Sequence, residues 1–253
     1  MLFSKIRLIT FDSTGTLLNF SVHPSKKYAQ IASLYGIECD HNILNENFRS
    51  HWRKMIKEHP NYGRHSGLGW ENWWRQIVLH TFKGCEVPID DGKLNTIANH
   101  LIEEYKQRSC WKVTQGALDL LSYLKHKGVT LGVISNIDPR LHETLINNKV
   151  RHYFKFVVTS YEAGIEKPHP RIFEEAIKAS SIEDLKSEEC LHIGDSIPLD
   201  YVGATRAGWK ALVLLPDKSS QNEDKIDENH KFYSFYDLHK YLMDNGETVK
   251  KIQ

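Results

Sequence analysis

The sequence predicts an α/β fold in which a parallel sheet is interrupted, after its first strand, by a long helical insert. Three observations predict it. A short apolar, β-prone run at residues 6–11 stops abruptly at Asp12 and the Gly-containing stretch 13–16. From residue 25 to about residue 108, apolar side chains recur at helical spacing with few strand signals between them. Beyond that block, short apolar runs alternate with helical patterns, as parallel strands joined by crossover helices require.

The insert shows three successive helical patterns: Tyr28, Ile31, Ala32 and Leu34; then Leu44, Phe48, Trp52, Met55 and Ile56; then Trp70, Trp73, Trp74, Ile77, Val78 and Leu79. Later strands are expected at 129–134, 154–158, 190–193 and 211–215. The polar run 217–231 reads as a surface loop. Phe232, Phe235, Leu238 and Leu242 mark a closing amphipathic helix, and 248–253 a frayed end. The sheet domain then comprises 1–20 and 109–253, and the helical insert 21–108.

Composition narrows the function classes. A chain of 253 residues with 40% hydrophobic and 26% charged residues is an ordinary folded protein that buries a substantial core. Lys+Arg 33 against Asp+Glu 32 leaves a net charge of +1, so no overall field draws nucleic acid or an anionic membrane, and neither is expected as a partner. Any anionic ligand must be held locally. Cys39, Cys85, Cys110 and Cys190 contain no CxxC pair, so free thiols in a reducing compartment are expected rather than zinc or a disulfide framework. The N-terminal stretch carries Lys5 and Arg7 and runs straight into a strand, unlike a cleaved signal peptide. No apolar run approaches the roughly 18 to 20 residues that span a bilayer. A cytoplasmic location is expected.

In parallel sheets, ligands gather at the carboxyl ends of the strands. The unusual polar residues fall there: Asp12 in FDSTGTL, Ser135 and Asn136 in VISN, Lys167 in EKPHP, and Asp195 and Asp200 in GDSIPLD. Taken singly, each has a plain structural reading: a turn residue for Asp12 or Ser-Asn, a helix N-terminal charge for Asp200, a solvated side chain for Lys167. The physical alternative is phosphoryl chemistry. A carboxylate can attack phosphorus when cations neutralise the crowded charge, and two or three carboxylates at adjacent strand ends suffice for magnesium, which keeps several waters.

The ordered set of four segments resembles the motifs of the haloacid dehalogenase superfamily over nearly the whole chain. The cap stretch NYGRHSGLGWENWW is similar to the group named after rhythmically expressed gene 2 and haloacid dehalogenase-like hydrolase domain-containing protein 3. The resemblance implies a Rossmann-like core with a helical cap and a hydrolase acting on a small phosphorylated molecule, as a monomer or weak homodimer. It implies catalytic roles for Asp12, Thr14, Ser135 and Lys167, substrate contacts from Ser135, Asn136 and Lys167, and Mg2+ held by Asp12, Thr14, Asp195 and Asp200.

One position departs from the phosphatase pattern. Thr14 stands where a second Asp usually protonates the leaving group, and loss of general acid catalysis costs typically 10²- to 10⁴-fold. Three readings follow: a slow phosphatase, a hydrolase of another bond as in the dehalogenase and phosphonatase branches, or a binding protein without turnover. DSTGT also resembles the DKTGT motif of P-type ATPases, in which the aspartyl-phosphate is long-lived. Asp195 and Asp200 favour a metal over dehalogenation, and Lys26, Lys27, Lys54 and Lys57 read as solvent-facing rather than as Schiff-base lysines. In the insert, Arg49, Arg53, Arg64, His65 and Arg75 are candidates for an anionic substrate, against the simpler reading of charged helix faces. Trp70, Trp73 and Trp74 read as core or interface before a stacking platform.

Overall fold

The computed structural model describes residues 5–83, 90–215 and 226–245. In chain order the elements are β1 (Leu8–Phe11), β2 (Leu18–Phe20), α1 (Pro24–Ser33), α2 (His41–Glu58), α3 (Trp70–Phe82), α4 (Asp91–Glu104), β3 (Trp111–Val113), α5 (Ala117–His126), β4 (Thr130–Ser135) and α6 (Leu141–Asn147). There follow β5 (Phe156–Thr159), α7 (Ser160–Ala163), α8 (Arg171–Ser180), β6 (Cys190–Gly194), α9 (Val202–Arg206), β7 (Lys210–Leu214), β8 (Lys231–Phe232) and α10 (Phe235–Asn245).

The chain divides into two compact units, 1–19 with 113–136 and 149–253, and 20–112 with 137–148. The expected division was 1–20 with 109–253 against 21–108; residues 20, 109–112 and 137–148, the last containing α6, instead fall with the helical insert.

The first unit holds a six-stranded sheet in the order β5-β4-β1-β6-β7-β8, with every pair in parallel register. Its central strands are buried along both faces, which is why they read as continuous apolar runs rather than alternating ones. On one face α8 lays Ile172, Phe173 and Ala176 against Leu8, Ile134, Phe156 and Cys190. Elsewhere in the unit, Phe11 packs against Phe235 of α10, with ring centroids 6.4 Å apart. The fold is therefore α/β with helices flanking a parallel sheet.

Strand positions follow the expected runs to within about two residues. The far end differs. Lys231 and Phe232 form β8 beside β7 rather than a loop end and a helix start, because parallel pairing satisfies backbone groups that the sequence pattern does not display. Residues 217–225 of the expected loop and the expected frayed end at 248–253 lie outside the described residues.

The second unit is helical. Tyr28, Ile31, Leu44, Val78, Phe82, Leu94, Ile97 and Leu101 form its main core; the first four lie on faces marked by their spacing in sequence, whereas the other four, from the end of α3 and from α4, lie outside the three expected patterns. Asp40 and Asp90 start α2 and α4 by accepting from the amides of Asn42 and Lys93. A second cluster gathers Met55, Trp73 and Ile77 with Trp52, Tyr62 and Trp74. Cys110 and Cys190 are buried free thiols as expected, whereas Cys39 is disulfide-bonded, which corrects the expectation for that residue. Cys85 lies outside the described residues. No helix among the described residues is long and apolar enough to cross a membrane.

Gly132, inside β4, leaves room for the Phe156 ring from the neighbouring strand; a Cβ there would overlap it. Gly132→Ala is expected to cost about 1–3 kcal/mol, the usual range for overpacking, measured as a lower urea midpoint with unchanged slope.

Candidate active site at the strand ends

The strand order places β1 between β4 and β6, so the residues following these three strands converge. Asp12 directly follows β1, and its amide donates to the Ile193 carbonyl at 2.9 Å. Beyond it the chain turns sharply at Gly15, where φ is +91° and a Cβ would overlap the Asp195 carboxylate. That turn is closed by hydrogen bonds from Gly15 to Leu18 and from Leu18 to Ser13. Thr14, half-buried, lies in this turn and forms a bridge with Leu18.

Asp12, Asp195 and Asp200 form an acidic cluster, each offering one carboxylate oxygen within 4.8 Å of the others. Asp200 sits in a π-helical turn, Ile197–Tyr201, a distortion that recurs at functional sites. Its Oδ2 accepts from the Ser196 amide at 2.9 Å. Gly194 is required beside it, because a Cβ there would overlap the Asp200 carboxylate. Asp195 is oriented by the Thr16 hydroxyl, which donates to its Oδ1 at 3.0 Å.

Lys167 reaches in from the loop before α8, following which the Lys167–Pro168 peptide is cis. Its Nζ donates to Asp12 Oδ1 at 2.6 Å, to Asp200 Oδ1 at 2.6 Å and to the Ile134 carbonyl at 2.8 Å. An ammonium has three N–H bonds, so all are used inside the protein. Asn136 fixes the lysine backbone from both sides, its Nδ2 donating to the Lys167 carbonyl at 2.9 Å and its Oδ1 accepting from the Lys167 amide at 2.8 Å. Ser135 ends β4 and is buried.

The titration behaviour follows from crowding. Asp12 is raised to about 6, mainly by burial, with Lys167 pulling it down and the Asp200 and Asp195 charges pushing it up. Asp195 is also raised, by burial and by Asp200. Burial pushes Asp200 upward too, but the Lys167 charge and the His192 hydrogen bond outweigh it and hold it well below the usual carboxylate range. Lys167 is raised because its two carboxylates outweigh burial. Three acids against one ammonium leave negative charge uncompensated when all are ionised, and the donor set is all oxygen. A hard divalent cation such as Mg2+ suits that set. Asp12 and Asp195 would hold it, since Asp200 already has both oxygens engaged by protein donors.

Of the expected site residues, Asp12, Asp195, Asp200 and Lys167 gather in one place, and one role differs from expectation. The Asn136 amide, expected on the substrate, is committed to Lys167. Thr16, Thr10 and His192, which no motif singled out, support the cluster; His192 Nε2 lies 3.0 Å from Asp200 Oδ1, and its Nδ1 2.8 Å from Thr10 Oγ1. A polar residue at a strictly buried strand position was the available signal for His192. In the other unit, Arg49, Arg53, Arg64 and His65 are exposed, and Arg75 binds Asn72 and Asn99.

A family model described as haloacid dehalogenase-like hydrolase matches residues 6–208, most of the chain. The chain belongs to the haloacid dehalogenase-like hydrolases. It is 43% identical over 254 residues to the rhythmically expressed gene 2 protein of Drosophila melanogaster, covering 96% of this chain and 97% of that protein. Human haloacid dehalogenase-like hydrolase domain-containing protein 3 is 35% identical over 211 residues, covering 83% of this chain and 82% of that protein. Among solved structures, the magnesium-bound HAD hydrolase YfnB of Bacillus subtilis is similar in fold, with TM-score 0.66, 18% identity and coverage of 94% and 99%. A 2-haloacid dehalogenase of Pseudomonas syringae shares the fold equally, with TM-score 0.65, 21% identity and coverage of 94% and 99%.

Removing the ammonium leaves two buried carboxylates without their countercharge, a loss of about 3–5 kcal/mol for a broken buried pair. Lys167→Met is expected to be destabilised by that order at pH 8. The deficit should shrink toward pH 5 as Asp12 takes up a proton and the repulsion falls; a pH-independent deficit in urea titrations would contradict this electrostatic account.

Proposed function

We propose that this hydrolase is a magnesium-dependent phosphatase that acts on a small phosphorylated molecule through an aspartyl-phosphate at Asp12. The observation that carries it is the cluster of Asp12, Asp195 and Asp200 around the Lys167 ammonium. The magnesium reported for the similarly folded YfnB supports the choice of ion. Bound at Asp12 and Asp195, Mg2+ supplies the charge that lets a phosphoryl group approach the carboxylates.

An Asp12 oxygen forms the bond to phosphorus as the ester P–O bond breaks. Lys167 keeps Asp12 anionic and oriented, and Ser135 at the end of β4 offers a hydroxyl for the phosphoryl oxygens. The leaving oxygen takes its proton from water, because the Thr14 hydroxyl is no acid near neutral pH. Water then attacks phosphorus, the Asp12–phosphorus bond breaks, and the carboxylate and inorganic phosphate are released. Thr14 makes the departure of poor leaving groups and the attack by water the slow steps, which favours substrates with good leaving groups such as acyl phosphates.

The test is a panel of phosphorylated metabolites assayed with Mg2+, comparing wild type with Asp12→Asn. Equal rates for the two proteins would remove Asp12 as nucleophile. Thr14→Asp is expected to raise turnover of simple phosphate esters by about 10²-fold or more. Thr14 also supports a second reading, a phosphoryl-binding protein without turnover. For that protein, a phosphate analogue would raise Tm in Mg2+ through ligand linkage while every hydrolysis assay of the wild type stayed blank, and Thr14→Asp with no gain would point to a site disabled elsewhere or to a different reaction.

Metal binding should depend on pH through Asp12. With a metal-free pKa of about 6, Asp12 is protonated below that pH and must release its proton to ligate. Mg2+ affinity is therefore expected to fall as pH drops through about 6 and to level off above it, with proton release seen by calorimetry in buffers of different ionisation enthalpy.

A further inference from the structure

His192 lies within β6, fully buried, two residues before the strand ends at Gly194. Its register partner on β1 is Thr10, and residues opposite each other in neighbouring strands share a face of the sheet. Their side chains meet there, with Thr10 Oγ1 and His192 Nδ1 2.8 Å apart. The Phe173 ring stands edge-on to the imidazole at 5.4 Å and restricts its rotation. On its far side, Nε2 lies 3.0 Å from Asp200 Oδ1.

The proton positions follow from the partners. An ionised carboxylate only accepts, so Nε2 carries a hydrogen and donates it to Asp200. With the Nε2 hydrogen given to Asp200, Nδ1 of the ring is placed to accept from the Thr10 hydroxyl. Asp200 is then gripped at three points: Oδ1 by Lys167 and His192, Oδ2 by the Ser196 amide.

We propose that Thr10 and His192 are a positioning pair: the hydroxyl fixes the imidazole, and the imidazole fixes the Asp200 carboxylate as the acceptor that holds Lys167 against Asp12. A chain of four side chains thereby runs from the interior of the sheet to the nucleophile. Asp200 acts mainly through Lys167, because both of its oxygens already have protein donors. Neither Thr10 nor His192 touches substrate or metal.

Resting on the magnesium site proposed above, this role predicts a metal-affinity effect that packing alone does not produce. Mg2+ dissociation constants would be measured by calorimetry for wild type, His192→Leu, Thr10→Val and Thr10→Ser, beside urea unfolding of each metal-free protein. His192→Leu is expected to weaken Mg2+ binding by up to about 10-fold, the low end of what losing a direct partner of a ligating group costs, because His192 acts on Asp12 through Asp200 and Lys167. Thr10→Val should shift it in the same direction by less, and Thr10→Ser, which keeps the hydroxyl, should bind as wild type does. Nitrogen NMR of the wild-type imidazole should show the Nε2–H tautomer.

Unchanged Mg2+ affinity in the folded Thr10→Val and His192→Leu proteins, with only the urea midpoints lowered, would make His192 a core residue and overturn the pair. An Nδ1–H tautomer would overturn it as well. Should His192→Leu fail to fold, Thr10→Val and Thr10→Ser carry the comparison. A wild-type protein that binds no Mg2+ sinks the proposed function and this role together, whereas wild-type binding with unaffected variants sinks this role alone.

Discussion

The Lys167 ammonium gives one N–H bond each to Asp12, Asp200 and the Ile134 carbonyl, and the rest of the site is arranged around that division. The three acceptors belong to the segments that end β1, β6 and β4, so one cation pins three adjacent strand ends. Burying an ion of this size costs several kcal/mol before any pairing, which only close, fully bonded partners can offset. Here the partners stand at 2.6 Å, the lysine backbone is clasped by Asn136, and two glycines leave the space the carboxylates need. Because the cation is shared, its pull is unequal. Asp200 is held strongly ionised, while Asp12, which also faces Asp195, remains proton-hungry near neutral pH.

Much of this was legible in the sequence because of where parallel sheets put their ligands. Asp12, Ser135, Lys167 and Asp195 follow predictable strand or loop ends, and the order of their segments along the chain carries the information that no single one does. What could not be read depends on register. Thr10 and His192 are 182 residues apart and interior to their strands, and only the pairing of β1 with β6 brings them opposite each other. Thr16 and Asp195 meet for the same reason across 179 residues. The Asn136 clasp was missed because Ser-Asn after a strand has an easy alternative meaning, and the geometry that selects between them is that of the Lys167 loop.

The helical unit was readable in its periodicity but not in its extent. The segment 137–148 follows β4 directly, which argues from sequence for the sheet domain. Its placement is decided instead by side-chain chemistry. Arg140 makes a two-pronged pair with Asp138, with Nε at 2.9 Å and Nη2 at 2.7 Å. Trp74 Nε1 donates to the same carboxylate at 2.8 Å, and the guanidinium lies over the Trp74 and Trp70 rings at 4.7 and 5.4 Å. Trp73 is buried outright. The three tryptophans therefore serve the interior of their own unit, one as core and two as the walls around a buried ion pair.

Thr14 gives the site its chemical character, since forming and resolving an acyl-phosphate make different demands. Formation needs an ionised carboxylate, neutralising charge and room for phosphorus, which Asp12, Asp195 and Lys167 are placed to supply. Resolution also needs a group that takes a proton from water, and Thr14 has no such capacity near neutral pH. The neighbouring residues do not replace it: Asp200 is held by three donors, His192 faces Thr10 and Asp200, and Lys167 has no free N–H. Asp195 is the remaining carboxylate, and a role in binding a cation conflicts with one as a base. Under the proposed mechanism a covalent phosphoryl group at Asp12 would therefore persist in this site, and for substrates with good leaving groups its lifetime would set the rate.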